Sequence, residues 1–283
     1  MPDTAALSDV VPHHLRLGSL PAQRPVPLPE LREALAAARI RTRFQPIVAV
    51  SDRAPVALEV LARLEHPIRG IVSPDLFVPQ YEAAGLAWPM TDAVVRRAFA
   101  EWTDIGLDRF GMSIALNLPL DVLLIPEALR RLDQQRQEAG IPATSVTIEL
   151  TESRPLSRLA DLHIATARLR RIGYELAIDD VGPDVRDHRD LLALPFSVLK
   201  LDKDVVQDSL LCPQARHFVT TAITAARAAG MLVVAEGVSD EALWTHIAAL
   251  GIDHAQGFLV GRPIPASSVS AWHADWSNDT SAG

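Results

Sequence analysis

The chain has 283 residues, 48% of them hydrophobic and 22% charged, so it is long enough to bury one large core. A formal charge of −8 without basic runs excludes a general nucleic-acid or membrane-surface binder, and no apolar run approaches the roughly 18 residues of a membrane span. The single cysteine, Cys212, excludes a disulfide framework and a cysteine-based zinc site. We expect a cytoplasmic protein that binds neither DNA nor membranes.

The two ends of the chain are predicted to lie outside the domain. Residues 1–30 are rich in proline and show no sustained period, which predicts an N-terminal tail that is flexible or lies on the domain. Regular patterns occupy residues 31–275, and residues 276–283 form a C-terminal tail. We therefore expect one domain, and the tail before Leu31 is too short for a sensory domain.

Strand-like and helical patterns alternate from Leu31 onward. The predicted strands are Thr42–Val50, Val56–Leu64, Met112–Leu118, Val146–Thr151, Tyr174–Asp179, Val198–Leu201, Leu232–Ala235 and His254–Val260. The predicted helices are Leu31–Arg39, Thr91–Trp102, Asp121–Glu138, Leu159–Arg171, Ala215–Ala229 and Asp240–Leu250. Glycine follows the last turn of several of these helices, which is a common way for a helix to end.

The order of the predicted elements indicates an α/β barrel. The turn over residues 51–55 is too short for a parallel crossover, so the first two strands should pair antiparallel. About eight strands separated by helices, with no second zone of composition, predict a modified TIM (β/α)₈ barrel with an antiparallel first strand. In such barrels the chemistry lies at the carboxyl ends of the strands.

Polar or ionisable residues are found on or after most of these strands. In chain order they are Glu59, Arg63, Asn117, Glu149, Glu152, Asp179, Asp180, Lys200, Asp202, Glu236 and Gln256. Each alone has an ordinary explanation, such as a Glu59–Arg63 ion pair at the surface or a solvated turn at Asp179 and Asp180. Their recurrence at strand ends instead favours a shared site.

A shared site with this composition requires cations. Glu149, Asp179 and Glu236 would repel one another strongly in one barrel mouth. Oxygen ligands, including the amide carbonyl of Asn117, favour Mg²⁺ or Mn²⁺ over Zn²⁺ or Cu²⁺, and about five or six of them suffice for two ions. A two-ion site suits phosphodiester cleavage, because the ions lower the pKa of a bound water that Lys200 can orient or deprotonate.

The motifs from about Arg41 to Ala271 resemble the EAL domain family of cyclic-di-GMP phosphodiesterases. The matching motifs are Gln45-Pro46-Ile47, Glu59-Val60-Leu61 followed by Arg63, Asn117-Leu118, Glu149-Leu150-Thr151-Glu152, Asp179-Asp180, Lys200-Leu201-Asp202, Ala235-Glu236-Gly237-Val238 and Gln256-Gly257-Phe258. Each is weak evidence alone, whereas eight motifs with the family's order and spacing are very specific. The resemblance implies a barrel of EAL type that hydrolyses cyclic di-GMP to linear pGpG.

The resemblance also implies roles for individual residues. The implied metal ligands are Glu59, Asn117, Glu149, Asp179, Asp180 and Glu236, with Asp179 bridging the two ions. The implied catalytic residues are Lys200, Glu236 and Glu59, with Lys200 nearest the attacking water. Gln45, Arg63 and Gln256 are the implied substrate-binding residues. Mg²⁺ or Mn²⁺ would be the cofactor, and Ca²⁺ is expected to bind without supporting cleavage, and so to inhibit.

The chain departs from the family pattern directly after Asp180. Where the family usually has Phe-Gly-Thr-Gly-Tyr-Ser-Ser-Leu, residues 181–188 read Val-Gly-Pro-Asp-Val-Arg-Asp-His and keep only Gly182. Pro183 and the lost second glycine restrict the backbone, and the lost serines remove donors that could bond Glu152. Glu152 and Gly182 are therefore the expected supports of this loop.

Three functions stay open on the sequence. The first is an active, metal-dependent cyclic-di-GMP phosphodiesterase. The second is a weak or inactive domain that serves as a cyclic-di-GMP receptor or as a protein-interaction module, because the loop after Asp180 is altered. The third is a barrel enzyme that acts on another phosphoester. The resemblance also suggests a homodimer, and regulation could come from a partner protein, from self-association or from substrate supply.

Overall fold

The computed structural model describes residues 24–151, 159–183 and 194–281. The strands in these ranges are β1 (Ile40–Ala49), β2 (Pro55–His66), β3 (Gly70–Val72), β4 (Ser113–Pro119), β5 (Val146–Thr151), β6 (Glu175–Val181), β7 (Val198–Leu201), β8 (Leu232–Ala235) and β9 (His254–Gln256). The helices are α1 (Leu28–Ala36), α2 (Val78–Ala83), α3 (Ala87–Ile105), α4 (Leu120–Leu123), α5 (Pro126–Glu138), α6 (Leu159–Ile172), α7 (Lys203–Asp208), α8 (Pro213–Ala228), α9 (Glu241–Leu250) and α10 (Val269–Ser281).

Eight of the described strands close into a barrel. The order is β1-β9-β8-β7-β6-β5-β4-β2, the β1–β2 pairing closes the ring, and β3 extends β2 on its outer edge. The strands from β2 to β9 are parallel around the ring, whereas β1 is antiparallel to both of its neighbours. The predicted TIM-like barrel with an antiparallel first strand is confirmed.

The inverted first strand brings its own side chains into the barrel mouth. The short β1–β2 turn sets a register in which Gln45 faces Glu59 and Arg41 faces Arg63. Because β1 runs against the other strands, its first half lies beside the carboxyl end of β2. Gln45 pairs with Glu59 near the middle of this hairpin, and both side chains line the cavity described below.

Two groups of buried apolar side chains hold the barrel together. The larger group fills the barrel and the layer beneath its helices, with fully buried members such as Leu58, Ile114 and Val233. The smaller group, which includes Phe77 and Tyr81, joins α1 and α2 to the outer side of β2 and β3. Burial at about 25 cal/mol per Å² of apolar surface is the main force that stabilises both layers.

The structure divides one predicted helix, shortens one predicted strand and adds four elements to the predicted set. The single helix predicted over Asp121–Glu138 is two helices, because Pro126 has no N–H to continue α4 and holds Ile125 in an extended conformation. The strand predicted over His254–Val260 ends at Gln256, where the chain turns so that the amides of Val260 and Gly261 both bond the Gly257 carbonyl. Elements β3, α2, α7 and α10 are additional to the predicted set.

Ordered structure extends beyond both predicted domain boundaries. At the start, α1 begins at Leu28, and Val26 is buried with an amide that donates to the Leu76 carbonyl at 2.9 Å. At the end, α10 continues past residue 275, and the Trp276 indole donates to the Arg53 carbonyl at 2.7 Å. In the described part of the chain, no helix is both long and apolar enough to cross a membrane.

Candidate active site

Lys200 lies at the centre of the barrel mouth and is surrounded by carboxylates. It is 1% exposed, and its ammonium lies 2.7 Å from Glu236 Oε1 and 2.8 Å from Asp179 Oδ1. Glu149 Oε2 and Glu59 Oε2 follow at 3.1 and 3.5 Å. Five residues that are distant in sequence are thus brought together by β2, β5, β6 and β7 and by the residue that follows β8.

Two amide side chains fix Glu59. Asn117 on β4 donates from Nδ2 to Glu59 Oε1 at 2.8 Å, and Gln256 at the end of β9 donates from Nε2 to Glu59 Oε2 at 2.6 Å. Each carboxylate oxygen of Glu59 therefore has an amide donor, which leaves little freedom to rotate. The same arrangement directs the oxygen of each amide group away from Glu59.

The carboxylates form two groups that share Asp179. Oxygen atoms of Glu59, Glu149 and Asp179 lie within 4.8 Å of one another, and so do those of Asp179, Asp180 and Glu236. We call these the inner trio and the outer trio. Each trio could offer oxygen ligands to a divalent cation, and Asp179 is the residue that the two trios share.

A backbone irregularity allows Asp179 and Asp180 to take part in the same site. Consecutive side chains of a regular strand point to opposite faces. Here the pairing of β6 with β7 shifts register between Ile178 and Val181, and Asp180 adopts a left-handed conformation with φ of 54°. The strand therefore bends where the two carboxylates occur, as the sequence requires if both are to reach one site.

The crowding of carboxylates changes their protonation. Burial raises the pKa of Glu149 well above its ordinary value and that of Glu236 to about 8, with the other carboxylates adding to both. Desolvation and the adjacent Asp179 raise the pKa of Asp180 to about 6. These carboxyl groups are under strong pressure to hold protons unless cations replace them.

The pKa values of Lys200 and Glu59 are shifted in the directions that keep both side chains charged. Burial alone would lower the pKa of Lys200, but Asp179, Glu149 and the other carboxylates raise it well above its ordinary value. Burial would likewise raise the pKa of Glu59, but the Lys200 ammonium and the amide donors Gln256 and Asn117 outweigh it and lower that pKa. The Glu59–Lys200 pair is therefore ionised.

The donor set fits divalent metal ions. Five carboxylates against one ammonium leave a formal charge of −4, which two divalent cations would balance. Gln256 Oε1 is buried and has no hydrogen-bond partner among the described residues. Buried polar atoms are rarely left unpaired, so this oxygen needs a cation or a water. Oxygen-only ligands are those that Mg²⁺ and Mn²⁺ prefer.

A cavity of about 440 Å³ opens above the outer trio. Its lining consists of Gln45, Glu59, Leu61, Asp179, Asp180, Lys203, Gln207, Glu236, Gly237, Ser239, Gln256, Gly257 and Phe258. Asn117, Glu149 and Lys200 are not part of this lining. Asn117 and Lys200 contact its carboxylates, and Glu149 contacts Lys200. The cavity is large enough for part of a nucleotide, and its floor is the carboxylate cluster.

Only some of the predicted substrate-binding and loop-supporting residues lie at the cavity. Gln45 and Gln256 line the cavity, whereas Arg63 is half-buried outside that lining and donates to the Ala62 carbonyl at 2.8 Å. Burial and the neighbouring Arg43 lower the pKa of Arg63. Gly182 lies in the described part of the chain and is half-buried, while Glu152 and residues 184–193 fall outside it.

Two glycines contribute to the site by close approach. A Cβ at Gly257 would lie 2.2 Å from the Val238 carbonyl oxygen, and one at Gly237 would lie 2.5 Å from Lys203 Cβ. Gly237 also has φ of 68°, which other residues rarely adopt. Their positions directly after Glu236 and Gln256 were a signal in the sequence, whereas nothing there pointed to Lys203 or Gln207 as part of the cavity.

Known proteins resemble this chain over most of its length. The EAL domain profile matches residues 29–263. An uncharacterized protein of Azorhizobium caulinodans is 36% identical over 228 residues, which cover 78% of this chain and 31% of that protein. The cyclic di-GMP phosphodiesterase NbdA of Pseudomonas aeruginosa is 28% identical over 241 residues, which cover 85% of this chain and 31% of NbdA. The chain thus spans about a third of the length of these relatives.

A solved structure resembles the barrel closely. The PaMucR phosphodiesterase in complex with c-di-GMP superposes with a TM-score of 0.80 at 27% identity, covering 86% of this chain and 98% of that one. Over this region the two chains share one barrel architecture.

Proposed function

The chain belongs to the EAL domain family, and from this premise we propose that it hydrolyses cyclic di-GMP to linear pGpG with two divalent metal ions. The observation that carries the proposal is the pair of carboxylate trios that share Asp179 beneath an open cavity. The names of two similar proteins support the substrate, since NbdA is a cyclic di-GMP phosphodiesterase and PaMucR was solved as its c-di-GMP complex.

We assign one ion to each trio. Glu59, Glu149 and Asp179, with the Asn117 amide oxygen, would hold the first ion, and Asp179, Asp180 and Glu236 would hold the second. Gln256 would complete the water and metal network through its unpaired amide oxygen. Mg²⁺ or Mn²⁺ would lower the pKa of the attacking water and offset charge on the phosphoryl oxygens. Ca²⁺, which is larger and less exacting in geometry, would bind without supporting cleavage.

Lys200 would orient the attacking water and hold the carboxylates together. Its ammonium contacts both trios, at 2.7 Å from Glu236 and 3.1 Å from Glu149, which supports a role for Lys200 beside both proposed ions. With its pKa raised by these carboxylates, Lys200 is a hydrogen-bond donor and not a base. The water proton would therefore pass to a carboxylate of the site, and we assign this role to Glu236, whose Oε1 lies 2.7 Å from the Lys200 ammonium.

The remaining assignments concern the substrate and the assembly. Gln45 would contact the guanine nucleotide and Arg63 a phosphate, with Arg63 turning from the Ala62 carbonyl that it bonds here. A cytoplasmic location, a homodimer and a regulatory protein partner are further parts of the proposal. Sedimentation of the purified chain with and without cyclic di-GMP tests the dimer.

Incubation of the purified chain with cyclic di-GMP tests the function. We expect pGpG to accumulate with Mg²⁺ or Mn²⁺, and to stop when a chelator or excess Ca²⁺ is added. Binding of the dinucleotide without any pGpG would overturn the enzyme assignment and favour a receptor. If the dinucleotide does not bind under any metal condition, neither assignment holds.

The receptor is the second candidate, and the loop after Asp180 favours it. Pro183 and Asp184 replace the threonine and the second glycine that the family usually has there. We expect replacement of residues 183–187 by Thr-Gly-Tyr-Ser-Ser to raise the turnover number, because it restores backbone freedom and hydroxyl donors. Steady-state rates of the two proteins measure this effect. An unchanged rate would mean that the loop does not limit turnover.

A further inference from the structure

The cavity above the metal site is acidic at its floor and carries one positive charge on its wall. Its lining includes the carboxylates of Glu59, Asp179, Asp180 and Glu236. Among the described residues, Lys203 is the one lysine in that lining, and no arginine joins it. A cation in this position is not needed for the carboxylate cluster itself, because Lys200 pairs with that cluster and the proposed ions would offset the remaining negative charge.

The ammonium of Lys203 has no partner within residues 24–151, 159–183 and 194–281. Lys203 is exposed, and among the described residues no ion pair or hydrogen bond with its side chain is present. The adjacent Asp202 carboxylate is occupied, since it accepts a hydrogen bond from the Asp204 amide at 2.8 Å as the cap of α7. The charge of Lys203 is therefore available to a ligand in the cavity.

The backbone of Lys203 is nevertheless held firmly against the site. The loop after Glu236 packs on the first turn of α7 so closely that only glycine fits at position 237, where a Cβ would lie 2.5 Å from Lys203 Cβ. Gln207, one turn further along, donates from Nε2 to the Gly237 carbonyl at 2.7 Å. A fixed backbone with a free ammonium suits a residue that binds a ligand beside the outer trio.

The use of lysine in this chain is itself informative. Of its 27 basic residues other than histidine, 25 are arginine and only 2 are lysine, namely Lys200 and Lys203. Both therefore lie at the barrel mouth, three residues apart. A guanidinium beside the outer trio would clamp one carboxylate with two parallel hydrogen bonds, whereas a compact ammonium acts as a point charge and remains free to meet an incoming anion.

We propose that Lys203 binds a phosphate oxygen of the cyclic dinucleotide and thereby holds the substrate over the outer trio. This inference rests on the proposed function, because it assumes that the cavity takes the dinucleotide. The contact is made to the bound substrate as well as to the transition state, so it contributes uniform binding and acts on KM more than on kcat.

Three variants test this role. A charge-assisted hydrogen bond lost from a partly exposed site corresponds to an effect of about tenfold, so Lys203→Met is expected to raise KM for cyclic di-GMP ~10-fold and to change kcat by less than ~3-fold. Lys203→Arg retains the charge but can pair with a carboxylate of the outer trio, so it is expected to restore only part of the affinity. Arg32→Met removes one positive charge from α1, outside the cavity lining, and controls for net charge.

Chemical protection gives a second readout that a structural role would not move. Acetylation by an amine-specific reagent should modify Lys203 readily and Lys200 hardly at all, because Lys200 is 1% exposed. Cyclic di-GMP added with Ca²⁺ should slow the modification of Lys203, as measured by peptide mass spectrometry. Ca²⁺ alone should leave the rate unchanged, since Lys203 belongs to neither trio.

The outcomes separate this inference from the proposed function. If the wild-type chain neither binds nor cleaves cyclic di-GMP, the proposed function fails and the role of Lys203 fails with it. If the wild-type chain binds the dinucleotide, but Lys203→Met has an unchanged KM and Lys203 stays equally reactive in the complex, only the role of Lys203 is overturned. Loss of Mn²⁺ binding in Lys203→Met would also overturn it, in favour of a role in the metal site.

Discussion

Glu59 is the residue on which the first proposed ion depends most clearly. Both of its carboxylate oxygens are held by amide donors, from Asn117 and Gln256, and it belongs to the inner trio. An ordinary surface ion pair with Arg63 would also have been consistent with the sequence. The structure instead turns Glu59 inward to Lys200, where it belongs to the inner trio.

Glu59→Gln is expected to abolish turnover without unfolding the protein. One carboxylate of the inner trio is lost, while Glu149, Asp179 and Glu236 still pair with Lys200. The stability of the metal-free chain should fall by no more than about 1 kcal/mol, because the mutation also relieves repulsion among carboxylates. Turnover and urea unfolding are the measurements.

The matched control is Glu65→Gln on the same strand. Glu65 is exposed and pairs with Arg41 at 2.6 Å, a type of contact that contributes about 0–1 kcal/mol. It should retain full activity. Full activity in Glu59→Gln would show that the inner trio does not hold a required metal ion.

Lys200 is the single positive charge among the buried carboxylates of the described site, so it should be structural as well as catalytic. Lys200→Met is expected to destabilise the metal-free protein by about 3–5 kcal/mol, because it leaves buried carboxylates unpaired. Mn²⁺ should recover much of that loss by supplying positive charge. Turnover should fall by about 10²–10⁴-fold even with Mn²⁺ bound.

Thermal unfolding with and without Mn²⁺, compared with Lys203→Met, measures this difference. Lys203 is exposed and unpaired among the described residues, and exposed substitutions usually change stability by less than about 0.5 kcal/mol. Equal stability of the two lysine variants without metal would contradict the central position of Lys200.

For single residues, the sequence predicts which side chains meet at the barrel mouth, but not how deeply each one lies along the barrel axis. Parallel strands end at one mouth, so Glu59, Asn117, Glu149, Asp179 and Glu236 could be grouped in advance. Depth along the barrel axis depends on register and on the strand bend at Asp180, which no local pattern reveals. The burial of Lys200 beneath the cavity, and the exposure of Lys203 above it, follow from that depth.

Among the secondary structure elements, α3 and α5 are joined through one buried aspartate. Asp92 on α3 is 7% exposed and accepts hydrogen bonds from Arg131 at 2.6 Å and Gln135 at 2.8 Å on α5, and from Arg96 on its own helix. Burial alone would raise the pKa of Asp92, but these donors and charges outweigh it and lower the pKa. The contact thus holds two helices of the outer layer together.

Asp92→Asn should destabilise the protein in a pH-dependent way. A folded-state pKa below the unfolded value of about 4 means that the stabilisation is complete above that pH and is lost as the pH falls through the folded pKa. We expect the free energy of unfolding of Asp92→Asn to be lower than that of the wild type by about 1–3 kcal/mol at pH 7, and this difference to become smaller below about pH 4. Urea unfolding across this range measures it, with the exposed Asp108→Asn as control. A difference that is constant with pH would contradict the assignment.

Secondary structure elements were predicted well where a hydrophobic periodicity extends over many residues, and poorly where tertiary contacts define the element. The eight barrel strands and the long helices follow from hydrophobic periodicity and from the glycines that end them. Short α7 and α2 carry too few residues for a period to be visible. Helix α10 has little apolar asymmetry and is held by single indole bonds, such as Trp272 to the Val260 carbonyl at 3.1 Å.

At the scale of the molecule, the barrel carries a site that its own charges do not balance. The chain has a net charge of −8, and the barrel mouth concentrates five carboxylates around one lysine. Repulsion among these carboxylates opposes folding. Ions that bind only the folded state would stabilise that state by mass action. The family resemblance and the geometry agree on this point, although each was reached from different observations.

A titration with Mn²⁺, in which bound metal and pGpG are followed together, is the direct test of a two-ion phosphodiesterase. Because Asp179 is shared by both trios, we predict two Mn²⁺ per chain, with pGpG formed from cyclic di-GMP only as the second site fills. Asp179→Asn should lose both the second ion and the product. Turnover at full rate with one bound ion or none, or two tightly bound ions with no pGpG, would contradict a two-ion phosphodiesterase.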